Sequence, residues 1–272
     1  MTNNELSAWV ETQRNENQNF KFDYSSSDLR DVISCIDLTT LNATDSNESV
    51  KGFVRNGMEK LKKNDLPNVA AFCVFSNFTD IVKKELKNTL IHTAVVAAAF
   101  PHGQASLGTK VSEVTDAAIN GADDIDIVIN RGMVIEGDFD KMESEILAFK
   151  AASMNAKLKV ILEVCELDLS QVYEASKRAI NAGADFIKTS TGKGSSGANI
   201  SSSLVMCKAI KEHYNSTGLM VGFKAAGGIS TSEEAMQYFH MVKSFLGEEW
   251  ANQKYFRIGA SSLLNNLIHD LN

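Results

Sequence analysis

Apolar runs of strand length recur along the chain at 32–36, 69–75, 93–100, 125–129, 158–164, 185–189, 220–224 and 255–259. Between them apolar positions fall at helical spacing, as in Val50, Val54, Met58 and Leu61, in Ile81 and Leu86, and in Leu169, Val172, Ala175 and Ala179. Strand then helix, repeated, implies parallel pairing. The runs are continuous in apolar character rather than alternating, as suits strands covered on both faces. Eight such units predict an α/β fold of the (β/α)8 TIM-barrel type. A doubly wound open sheet is the alternative, but no G-x-G-x-x-G follows the first strand. Residues 1 to about 30 are expected to form an N-terminal helical extension over the barrel bottom or side, with a helix start at Ser25-Ser26-Ser27-Asp28. No linker or low-complexity segment divides the rest, so 1–272 is expected to be a single barrel domain.

Two lysines break the apolar pattern, Lys188 in Asp-Phe-Ile-Lys-Thr-Ser-Thr-Gly-Lys and Lys224 in Met-Val-Gly-Phe-Lys-Ala-Ala-Gly-Gly. A buried ammonium costs free energy unless it is paired or loses its proton. Gly-rich turn chemistry follows each lysine, which predicts both at the carboxyl end of a strand, where barrel enzymes keep catalytic groups. They are 36 residues apart (224 − 188), about one βα unit, so they should sit at similar heights on neighbouring strands. Unit charges ~4 Å apart at an effective dielectric of ~20 repel by ~4 kcal/mol, or about 3 pKa units. One amine should then be neutral near pH 7, a nucleophile for carbonyls that forms Schiff bases. A single strand-end lysine is more often a snorkelling or paired residue; two at this spacing favour function.

Asp126 lies between isoleucines and should face the same interior, where it could anchor Lys224 and relay protons or serve as a structural ion pair. Asp123 and Asp124 are expected to be exposed. Asp37, expected at the end of the first strand, could bind a substrate hydroxyl or cap the following turn. Cys73 ends the second strand and could line the pocket. Thr191-Gly192-Lys193, Gly227-Gly228 and Gly259-Ala260-Ser261-Ser262 follow the sixth, seventh and eighth strands. Free N–H groups in such loops form the usual barrel phosphate site.

The net charge of −7 argues against a general nucleic-acid or anionic-membrane binder, leaving a small partner. Cys35, Cys73, Cys165 and Cys207 show no paired spacing, which suits reduced thiols and a cytoplasmic protein. No signal peptide is expected, and no apolar run approaches the ~20 residues a membrane span needs. His92, His102, His213, His240 and His269 form no ligand motif, so no metal or other cofactor is expected.

Together these motifs resemble the deoxyribose-phosphate aldolases, class I aldolases on a (β/α)8 barrel that work without metal. The resemblance runs from about Ile33 to Ile268, through Asp-Leu-Thr-Thr-Leu at 37–41, Gly-Ala-Asp-Asp-Ile-Asp at 121–126, Phe-Ile-Lys-Thr-Ser-Thr-Gly-Lys at 186–193, Val-Gly-Phe-Lys at 221–224 and Gly-Ala-Ser-Ser-Leu-Leu at 259–264. It implies that Lys188 forms the Schiff base, that Lys224 lowers its pKa and that Asp126 joins the proton relay. Gly192, Lys193, Gly227, Gly228, Ser261 and Ser262 match positions that hold a substrate phosphate. The implied reaction cleaves 2-deoxy-D-ribose 5-phosphate reversibly to D-glyceraldehyde 3-phosphate and acetaldehyde, in deoxynucleoside breakdown, with a homodimer implied. This chain departs from the family at Ser230, where many members have arginine, and at Ala225, where many have proline. It ends at Asp270-Leu271-Asn272, without the terminal tyrosine of some members. Weaker phosphate binding, or compensation by Lys193, is expected. An aldolase for another phosphorylated sugar and an inactive sugar-phosphate-binding paralogue are the competing readings.

Overall fold

Eight parallel strands pair in chain order and close on themselves: β1 (Ile36–Thr39), β2 (Ala71–Phe75), β3 (His92–Ala97), β4 (Asp124–Val128), β5 (Lys157–Ile161), β6 (Phe186–Lys188), β7 (Gly222–Ala226) and β8 (Phe256–Ala260). The computed structural model describes residues 1–271. Helices α1 (Asn3–Glu16) and α2 (Ser26–Ser34) precede the barrel. The surrounding helices are α3 (Asn47–Lys63), α4 (Thr79–Glu85), α5 (Leu107–Ile119), α6 (Arg131–Glu136), α7 (Phe139–Ala152), α8 (Leu169–Asn181), α9 (Ile200–Thr217), α10 (Ser232–Phe245) and α11 (Leu263–Leu271). The expected TIM barrel is the fold observed. No helix of the described residues is long and apolar enough to cross a membrane.

The first strand lies later than the apolar run predicts. Residues 32–34 end α2, which starts at a capping box between Ser25 and Asp28 and buries Leu29, Val32 and Ile33 on one face. That spacing of three and four is helical, and the cap tips a short apolar run toward helix. Asp37 is therefore the second residue of β1 and sits inside the barrel rather than at a strand end. The extension is two helices. α1 packs on α8 and α9 at the barrel side, where Asn3 Oδ1 accepts from the Leu169 amide at 3.0 Å. α2 packs on α10 and α11. β3 stops short of residue 100 because Ala98 and Ala99 turn left-handed, at φ 63° and 59°.

The strands do alternate, in a way their uniform burial hides. Outward residues such as Phe72, Val95, Ile125, Ile127, Leu158, Val160, Ile187, Phe223 and Ile258 join one core with the helices. Inward residues from β2 and β3 are small and apolar: Ala71, Cys73, Ala94 and Val96, which meet Leu41. Seven other inward positions carry charge, at Asp37, Asp124, Asp126, Lys159, Lys188, Lys224 and Arg257, all buried. Phe186 fills the floor between them, because its neighbour in register is Gly222, where a Cβ would stand 2.3 Å from the ring. Lys159 Nζ and Arg257 Cζ lie 5.5 and 5.7 Å from that ring's centre, within cation–π range.

Candidate active site

Lys188 and Lys224 are direct Cα partners across β6 and β7, so they share one height in the barrel. Asp126 reaches them from β4. Its Oδ2 accepts from Lys188 Nζ at 2.8 Å and from Lys224 Nζ at 2.7 Å, so one carboxylate oxygen joins both amines. Lys224 also donates to Asp37 Oδ2 at 2.5 Å. Below this layer Arg257 Nη1 donates to Asp37 Oδ1 at 2.6 Å and to Asp124 Oδ2 at 3.1 Å. Lys159 Nζ ion-pairs with Asp124 Oδ2 at 2.8 Å and Asp126 Oδ1 at 3.4 Å. Nδ1 of the half-exposed His92 lies 3.3 Å from Asp124 Oδ2.

Burial and contacts separate the two amines chemically. Burial, reinforced by the charge of Lys224 and opposed by Asp126, lowers the Lys188 pKa below the usual lysine value. Burial works the same way on Lys224, but Asp126 and Asp37 outweigh it and hold that ammonium well above the usual value. Asp126 is buried too, yet Lys188, Lys224 and Lys159 hold it far below the carboxylate range. Asp37 and Asp124 are likewise held ionised, against their burial, by Lys224 and Arg257 and by Lys159 and Arg257 respectively. Burial pushes the Cys73 thiol up. One amine whose proton is loosened thus stands beside one held as a cation.

Above the lysines a cleft of about 240 Å³ opens at the carboxyl ends of the strands. Lys188, Thr191, Gly192, Lys193, Gly227, Gly228, Gly259, Ser261 and Ser262 line it together. Lys224, Asp126 and Asp37 lie beneath, tied to Lys188 through the network, and Cys73 belongs to the apolar inner wall. Thr39, Thr40, Asn42 and Ser230 line the same cleft. The left-handed turns at Gly192, Gly227 and Gly228 (φ 75°, 90° and 82°) suit glycine. At Gly197 the chain passes so near that an added Cβ would stand 1.9 Å from the Gly227 carbonyl oxygen. Thr189 Oγ1 donates to Ala226 O at 3.1 Å and accepts from Ala226 N at 3.0 Å, stitching the two loops together.

Sequence reasoning placed Asp124 on the surface. It is fully buried, two residues before Asp126 and so on the same inward face. Lys159, Arg257 and Glu163 were missed. The signal for the first two was a charge between apolar neighbours, in Leu158-Lys159-Val160 and Phe256-Arg257-Ile258. Buried Glu163, left-handed at φ 58°, accepts from the Thr191 hydroxyl and amide and so holds the loop after β6. Nothing local marked it. Ser230 is committed elsewhere: its amide donates to Glu234 Oε2 at 2.9 Å and its carbonyl accepts from Asn266 Nδ2 at 2.8 Å. Among the described residues, Lys193 is then the one basic side chain besides Lys188 on the cleft lining.

Comparison with known proteins adds an independent line. Residues 31–269 match the family model described as DeoC/LacD family aldolase. A deoxyribose-phosphate aldolase of Mus musculus is 39% identical, with 91% of this chain and 81% of that protein covered. Its Homo sapiens counterpart is 37% identical over the same shares. Among solved structures, a tetrameric deoxyribose phosphate aldolase from Aeropyrum pernix is similar, with TM-score 0.68, 25% identity and coverage of 88% of this chain and 90% of that one.

Proposed function

This chain belongs to the DeoC/LacD family of aldolases and is itself an aldolase, a carbon–carbon lyase; on that premise we propose that it cleaves 2-deoxy-D-ribose 5-phosphate reversibly through a Schiff base on Lys188. The observation that carries this reading is the shared Asp126 oxygen, which sets a lysine of lowered pKa at the cleft beside a lysine of raised pKa.

The neutral amine of Lys188 adds to the aldehyde carbon C1 of the open-chain sugar, and loss of water from the carbinolamine gives an iminium ion. Asp126 and the Lys224 ammonium supply and remove the protons this dehydration needs. Loss of the C3 hydroxyl proton then breaks the C2–C3 bond. Its electron pair moves into the iminium as an enamine, and C3 leaves as the aldehyde of D-glyceraldehyde 3-phosphate. Protonation at C2 and hydrolysis release acetaldehyde and restore the amine. An iminium accepts those electrons far better than a carbonyl, which is why an amine nucleophile is wanted. The substrate phosphate would sit on the glycine loops after β6 and β7 and before α11, with Lys193 as counter-ion.

A role in deoxyribonucleoside breakdown, a cytoplasmic location and self-association as a homodimer belong to the same proposal. Free thiols suit a reducing compartment, and a tetrameric relative supports association. The test is borohydride reduction in the presence of 2-deoxyribose 5-phosphate, read by intact mass and peptide mapping. An adduct on Lys188 that is absent from Lys188→Ala supports the reading; ligand binding with no adduct overturns it.

A further inference from the structure

Asp124, Lys159 and Arg257 lie inside the barrel without a part in the chemistry just proposed. They complete a cluster of three carboxylates (Asp37, Asp124, Asp126) and four cations (Lys159, Lys188, Lys224, Arg257), no side chain of which is more than 4% exposed. Four positive charges against three negative leave one in excess. In surroundings this dry the excess is relieved by a proton leaving the least-held amine. A guanidinium does not yield its proton. Lys224 touches two carboxylates, at 2.5 and 2.7 Å, and Lys159 lies 2.8, 3.4 and 3.8 Å from three. Lys188 has one carboxylate oxygen, which it shares with Lys224.

We propose that Arg257 is a positioning residue for the reaction: paired with Asp37 and Asp124 from beneath, it is the fixed cation that makes positive charge outnumber negative in this cluster and so leaves Lys188 as the amine the cluster cannot keep protonated. The inference rests on Lys188 being the amine that forms the imine. Arg257 is itself held in place, with Nε donating to Gln253 O at 2.5 Å and its guanidinium over Phe186. The groups that face Lys188 are Cys73 from β2, Asp126 from β4 and Lys224 from β7, while Lys159 from β5 meets Asp126 from below. Asp37 and Arg257 stand behind them on β1 and β8, His92 of β3 reaches only Asp124, and Glu163 and Lys193 belong to the loops after β5 and β6.

The test is the pH dependence of single-turnover imine trapping on Lys188. A unit charge roughly 10 Å away at an effective dielectric of about 20 displaces a pKa by about one unit. Arg257→Met is therefore expected to move the trapping profile about one pH unit up, a tenfold loss at fixed pH on its limb. Arg257→Lys, which keeps the charge, should leave the profile in place. Should Arg257→Met alone fail to fold, Asp124→Asn is compared with Asp124→Asn/Arg257→Met, and the same upward step is expected in that background. A loss of adduct at every pH with no displacement of the limb would mark Arg257 as merely structural and overturn the proposal. An unmodified protein that gives no adduct on Lys188 at any pH would instead overturn the Schiff-base reading, and this inference with it.

Discussion

Lys224→Met removes the cation beside Lys188, the amine proposed to form the imine, and the size of its effect can be worked from one shared oxygen. Lys224 and Lys188 lie 2.7 and 2.8 Å from Asp126 Oδ2, so their nitrogens are no more than 5.5 Å apart, the sum of the two. At that separation and an effective dielectric of about 20 the repulsion is about 3 kcal/mol, or about two pKa units. A positive neighbour disfavours the charged form of Lys188, so removing it raises the pKa and reduces the neutral fraction about a hundredfold at any pH on the protonated limb. The Asp126 oxygen that the two amines shared then serves Lys188 alone, which acts in the same direction. Asp37 and Asp126 also lose a donor, and breaking a buried pair costs about 3–5 kcal/mol of stability, so circular dichroism must first show that the variant is folded. The assay is the rate of borohydride trapping of the Lys188 adduct from pH 6 to 10. Trapping should be lost near neutrality and recovered at about two pH units higher. A folded variant whose loss is the same at every pH would refute the electrostatic reasoning.

Three further outcomes are expected. Ser230→Arg places a fixed cation on the cleft and should lower KM for the phosphorylated sugar about tenfold, about 1.4 kcal/mol, while leaving unphosphorylated 2-deoxyribose unchanged; an equal fall for both would contradict it. Gly197→Ala drives a methyl to 1.9 Å from a backbone oxygen, so the loops must shift; urea titration should show a loss of about 1–3 kcal/mol and KM should rise, whereas an unchanged midpoint would sink the argument. Asp37, Asp124 and Asp126 have pKa values depressed by folding, so the stability they contribute is full above their unfolded value near ~4 and falls as pH drops through their folded values. Urea midpoints measured from pH 6 to 2 should therefore decline below about pH 4, and a decline already complete by pH 5 would be inconsistent.

Much of the candidate site was legible because its charged groups violate the local pattern. Lys188 and Lys224 stood out as cations in apolar runs, and their spacing of one βα unit foretold the register that pairs them. Glycines marked the loops that meet at the cleft, since left-handed turns and close crossings exclude a Cβ. Asp124, Lys159 and Arg257 were harder to see. A charge flanked by apolar residues reads as an exposed strand position when the strand is taken as half-buried, and as an error when it is taken as buried on both faces. Only an ionised interior makes sense of it. Glu163 left no trace, because its role depends on a left-handed backbone and on Thr191, 28 residues away.

The sequence by itself determined the repeat of strand and helix, and with it the closed parallel barrel, because burying one outward apolar face per strand against helices needs only the local pattern. It also determined which side chains are candidates for the chemistry, since amines, carboxylates and glycines are fixed by residue type. Tertiary structure decided which amine is held as a cation and which is not. The acidity of a buried lysine depends on the oxygens within about 3 Å of it, and those come from β1 and β4, up to 187 residues distant in the chain. Barrel closure sets that distribution, giving two carboxylates to Lys224 and a share of one to Lys188.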